Sequence, residues 1–111
     1  MTSQRLAETA AAILAAHKGI DIETIDVSER TSLADYFVIA SGTSQIHVKA
    51  LVDYVEEELG EAGVHPRSVE GADARRWVLL DYGDVVVHIL HPEEREYYDL
   101  EKLWLHGWSR G

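Results

Sequence analysis

Residues Trp77 to Trp104 read W-V-L-L-D-Y-G-D-V-V-V-H-I-L-H-P-E-E-R-E-Y-Y-D-L-E-K-L-W. Two apolar runs, Val78-Leu79-Leu80 and Val85-Val86-Val87-His88-Ile89-Leu90, flank Asp81-Tyr82-Gly83-Asp84. Glycine reaches turn conformations closed to other residues, and aspartate hydrogen-bonds nearby backbone, so the middle segment reads as a tight turn. The whole predicts a β-hairpin in the middle of a sheet. The second strand leads through His91-Pro92 into a helix. Pro92 suits the first helical position, where its missing N–H would have had no partner. Glu93, Glu94 and Glu96 follow in the first turns, where the helix dipole favours negative charge.

Working outward, the upstream chain supplies what packs on that hairpin. Leu6, Ala10, Ile13, Leu14 and His17 recur at helical spacing behind the capping residues Thr2 and Ser3, and Gly19 marks the stop. Asp21 to Val27 alternates imperfectly, with Ile25 and Val27 on one face, as in a strand with one wet side. Asp35 to Ala40 is apolar without a break from Tyr36, which suits a central strand buried on both faces. After Ser41-Gly42-Thr43-Ser44, with Thr43 or Ser44 as the cap, Val48, Leu51, Val52, Val55 and Leu59 form the buried stripe of a second helix. Arg67 to Gly71 reads as a short edge strand. Leu100, Leu103 and Trp104 are expected to dock the last helix, and 105–111 form a tail without period. The expectation is one α/β domain over 1–111, a mixed β-sheet with helices packed on it.

Composition narrows the function. Twenty acidic residues against ten basic ones give a net charge of −10. Affinity for bare nucleic acid comes largely from Lys and Arg neutralising phosphates, so little direct RNA binding is expected. The same charge would steer the chain toward a basic protein surface, whereas in an arbitrary small protein such acidity more often serves solubility alone. The absence of cysteine removes thiolate catalysis, disulfides and cysteine metal sites, and fits a reducing compartment. No run has the length of a membrane span, and the expected location is the cytoplasm.

Candidate chemistry is thin, and no cofactor or metal is expected. The Ser41–Ser44 turn stands where backbone amides can hold a phosphate, but it lacks the P-loop lysine and the spaced glycines of a dinucleotide site. Nucleotidyltransferases place Gly-Ser before a helix and two alternating carboxylates on the next strand, for a metal ion. Here that strand offers Glu70 alone, with Ser68 and Ala72 at the alternate positions. Asp81 and Asp84 suit the turn backbone, with one or both also available to a basic partner. His88 is read as a satisfied, partly buried histidine. His91 shapes the approach to the last helix, on the opposite face from His88, so the two share no metal. His47 has no evident ligand partner. Trp77, Tyr82, Tyr97, Tyr98 and Trp104 are mixed with Asp81, Asp84, Glu93, Glu94 and Asp99, as on surfaces where large rings stand beside charges that choose the partner. Tyr97 and Tyr98 are adjacent on a helix and cannot both face the core.

Read together, D-Y-F-V-I-A-S-G-T-S (Asp35 to Ser44), H-V-K-A-L (His47 to Leu51), V-E-G (Val69 to Gly71), W-V-L-L-D-Y-G-D-V-V-V-H (Trp77 to His88) and H-P-E-E-R-E-Y-Y-D-L-E-K-L-W (His91 to Trp104) resemble the Iojap family, the ribosomal silencing factors. The resemblance implies a nucleotidyltransferase-like fold lacking the catalytic carboxylates, and a regulator that is not an enzyme. It also implies binding to the large ribosomal subunit through its fourteenth protein on the intersubunit face. There such proteins block joining of the small subunit, lower translation when nutrients are short and take part in large-subunit biogenesis. A homodimer of the free protein is allowed. On this reading Trp77, Leu80 and Tyr98 supply buried contacts to the ribosomal protein, while Asp81, Asp84 and Glu94 pair with its Lys or Arg. The competing expectations are a Mg²⁺-dependent nucleotidyltransferase at the Gly42 turn and a generic dimeric adaptor.

Overall fold

The computed structural model describes residues 1–98, the last two by their backbone alone. The elements run α1 (Ser3–Ala16), β1 (Ile20–Asp26), β2 (Tyr36–Ser41), α2 (Gln45–Glu61), β3 (Ser68–Glu70), β4 (Trp77–Asp81), β5 (Val85–Leu90) and α3 (Pro92–Tyr98). The strands form one sheet in the order β1-β2-β5-β4-β3. Among the described residues only β2 and β5 pair in parallel; the other three pairings are antiparallel, so the sheet is mixed. The expected Leu100, Leu103 and Trp104 docking and the 105–111 tail lie outside the described residues.

Strand position follows composition. β5, V-V-V-H-I-L, lies at the centre and is buried along its whole length, and β2 is buried beyond Tyr36. β-Branched side chains suit a strand covered on both faces. β1 and β3 are mostly exposed, as edge strands with Asp and Glu along them should be. β1 also carries an irregularity between Ile20 and Glu23, a bulge that interrupts an edge ladder.

Helices α1 and α2 start where their caps predict. Thr2 Oγ1 accepts the Arg5 N–H, and Ser44 Oγ accepts the His47 N–H, each at 3.1 Å. Their apolar stripes converge on one face of the sheet. Leu6, Ala10, Ile13 and Leu14 of α1 meet Val48, Leu51, Val52, Val55 and Leu59 of α2 over Val38, Val78, Leu80, Val87 and Ile89. Each fully buried Leu or Ile in this layer contributes about 1.5–3 kcal/mol. His17 is a polar latch at the rim of this stripe. Its Nε2 lies 2.6 Å from Glu58 and its ring stacks on Tyr54 at 3.6 Å, which ties the end of α1 to α2.

Gly71, at the end of β3, has φ +83°, and a Cβ there would come within 2.2 Å of the Trp77 carbonyl oxygen. Only glycine fits, and its compact turn brings the chain back so that Trp77 begins β4.

Candidate partner-binding surface

The β4–β5 turn determines which side chains share a face. Gly83, with φ +88°, is the first central residue of a two-residue turn closed by the Tyr82 N–H donating to the Val85 carbonyl at 2.9 Å. Asp81 Oδ1 accepts the Gly83 N–H at 2.8 Å. The Asp84 carbonyl accepts the N–H groups of Asp35 and Tyr36, which stitches the turn to the start of β2. The register then pairs Trp77 with Leu90, Leu79 with His88 and Asp81 with Val86. Alternation puts Trp77, Leu79, Val86, His88 and Leu90 on the face opposite α1 and α2, with Ile25, Phe37 and Ile39 from β1 and β2.

Three expected contact residues meet on or beside this face. Trp77 and Asp81 are half-buried on it, and Asp84 is exposed at its turn end. Leu80 does not join them. It is fully buried beneath the helices, because a period of two sends it to the opposite face from Trp77 and Asp81. Leu79, half-buried between those two, is the residue that occupies the expected position, and strict alternation along the strand would have found it.

The acids differ in availability. Asp84 is exposed. Asp81 sits 3.6 Å from the exposed Arg67, a long pair that contributes little. Glu94 is already engaged: Arg76 Nη2 lies 2.8 Å from its carboxylate and 2.7 Å from that of Glu93. These two neighbours, Glu94 first, raise the Arg76 pKa above its ordinary value. Glu94 thus holds α3 against the start of β4, and a partner cation would have to displace Arg76. Arg95 adds a second tie, donating to Ser41 Oγ at 3.1 Å and to the Asp21 carbonyl at 2.5 Å. The side chains of Tyr97 and Tyr98 lie outside the described residues.

His88 departs from the expectation of a satisfied, partly buried ring. It is only 5% exposed. Its Nδ1 accepts the indole N–H of Trp77 at 3.1 Å, and its Nε2 is buried without a hydrogen-bond partner. The Phe37 ring lies 4.7 Å away. Burial pushes the His88 pKa down to about 4, so the ring is neutral near pH 7.

Other constellations offer less. His91, Glu93 and Glu94 bring ligand atoms within 4.8 Å of one another, but both carboxylates are already engaged by the Arg76 guanidinium. His91 Nδ1 accepts the Glu93 N–H at 3.3 Å, the role in shaping the start of α3 that its position predicts. At the Gly42 turn several amides are used internally. The Thr43 N–H donates to His47 Nδ1 at 2.9 Å, and Ser44 takes the N–H groups of His47 and Val48. His47 is therefore part of this cap. A groove of about 370 Å³ on the α2 side sets Lys49 and Arg75 among Asp53, Glu56 and Asp73, a mixture that selects no single ligand charge.

Residues 1–110 match the profile of the family described as "Ribosomal silencing factor during starvation". The chain is 40% identical to Bacillus subtilis "Ribosomal silencing factor RsfS" over 104 residues, 94% of this chain and 88% of that one. It is 41% identical over 87 residues to mouse "Mitochondrial assembly of ribosomal large subunit protein 1", 76% of this chain and 38% of the longer mouse protein. A Chromobacterium violaceum crystal structure superposes with a TM-score of 0.90 at 40% identity, covering 98% of this chain and all of that one.

Proposed function

The chain belongs to the ribosomal silencing factor family, and on that premise we propose that it binds the large ribosomal subunit and sterically blocks joining of the small one. The partner is the fourteenth protein of the large subunit, on its intersubunit face. Bound there, the chain represses translation under nutrient limitation. It also acts in large-subunit biogenesis, a role that the name of the mouse relative supports. No enzymatic step is involved.

The observation that carries this reading is the grouping of Trp77, Leu79 and Asp81 on one sheet face, with Asp84 exposed at its edge. A large ring beside an aliphatic side chain, with carboxylates at the rim, suits a basic protein partner. A net charge of −10 opposes docking on bare RNA, so the contact is with protein. The strand–turn–helix arrangement of β2 and α2 also supports the reading of a nucleotidyltransferase-like fold lacking the catalytic carboxylates, with Glu70 the single carboxylate on β3.

Purified chain pelleted through sucrose with isolated large subunits, and separately with small subunits, tests the proposal. Co-sedimentation with large subunits alone is expected. Equal pelleting with both, or with neither across a range of salt, would rule it out.

A further inference from the structure

His88 lies within the face that carries Trp77, Leu79 and Asp81, opposite Leu79 on β4 and Ile39 on β2. Phe37 packs against its ring at 4.7 Å. An indole nitrogen can only donate, so His88 Nδ1, 3.1 Å from Trp77 Nε1, is the acceptor and carries no proton. A neutral ring then holds its proton on Nε2, which is buried and has no partner. A buried N–H without an acceptor lowers stability, whereas an apolar side chain of similar size would not. What a leucine could not do at this position is hold an indole.

We propose that His88 is a positioning residue for docking: it orients the Trp77 indole as the pre-ordered anchor that meets the protein partner. This rests on the docking reading above and deepens it. A tryptophan has two side-chain torsions, and a hydrogen bond to a ring that is itself packed constrains both. An anchor ordered in advance loses less conformational freedom on binding, so affinity rises without a new contact. The depressed His88 pKa keeps the acceptor nitrogen unprotonated across the neutral range.

The experiment measures binding to isolated large subunits, together with thermal unfolding, for wild type, His88→Leu, His88→Asn and His88→Gln. His88→Leu is then repeated in a Trp77→Phe background. Asparagine carries an acceptor near the Nδ1 position, glutamine carries one nearer Nε2, and leucine carries none. His88→Leu should weaken binding about tenfold while leaving the melting temperature unchanged or raised. His88→Asn should recover most of the affinity and His88→Gln should not. If leucine prevents folding, the asparagine–glutamine contrast decides alone. In the Trp77→Phe background, which lacks the indole N–H, His88→Leu should have no further effect. Unchanged binding in His88→Leu, or an equal loss in both backgrounds, overturns the inference while the docking reading survives. Failure of the wild-type chain to bind large subunits overturns both.

Discussion

Leu80 and Trp77 lie three residues apart on one strand and have opposite fates. Leu80 is fully buried beneath the helices, so its removal is a stability change and not a binding change. Leu80→Ala should cost about 2–5 kcal/mol in urea denaturation. Binding of the folded fraction should stay near wild type, and a loss of binding with no loss of stability would restore Leu80 to the contact surface. His88 gives the molecule a pH dependence of known sign. The unfolded ring takes a proton near 6.5, whereas burial holds the folded ring at about 4. Between those values the unfolded state binds more protons, so this contribution is complete above pH 6.5 and is lost as pH falls toward 4. It amounts to on the order of 3 kcal/mol. Wild type should therefore lose more stability than His88→Leu between pH 7 and pH 4.5, and equal losses would contradict it.

At the scale of elements, the caps and stripes that predict α1 and α2 are the ones the structure uses. Ser44→Ala should destabilise the fold by about 1 kcal/mol in thermal denaturation, since it removes the acceptor for the His47 N–H. α3 depends instead on two arginines from opposite directions: Arg76 reaches it from the start of β4, and Arg95 reaches from it to Ser41 and Asp21. Arg76→Ala should speed amide hydrogen exchange in α3 while exchange in β5 stays slow, and unchanged α3 protection would refute this tie. The hairpin and the central strands were legible because hydrophobic runs and turn residues are local signals. The hydrogen bond between Trp77 and His88 was not, because it depends on register. Only with Gly83 and Asp84 as the two turn residues does His88 fall opposite Leu79 and one pleat from Trp77. The engagement of Glu94 was equally hidden, since its cation comes from the preceding loop, 18 residues away in sequence. Leu79, by contrast, could have been read from alternation alone.

For the whole molecule, charge and shape act together. The chain presents one sheet face to α1 and α2; on the other, where Ile39, His88 and Leu90 are buried, the half-buried Trp77, Leu79 and Asp81 are the residues proposed to meet the partner. Twenty acidic residues favour a basic ribosomal protein over the surrounding RNA. The most direct measurement is a subunit-joining assay. Isolated large subunits are preincubated with the purified chain, small subunits are added, and intact ribosomes are quantified on a sucrose gradient. Silencing by occlusion predicts that intact ribosomes fall with increasing chain while large subunits carrying the chain accumulate. Undiminished ribosome formation, with large subunits saturated by bound chain, would contradict it.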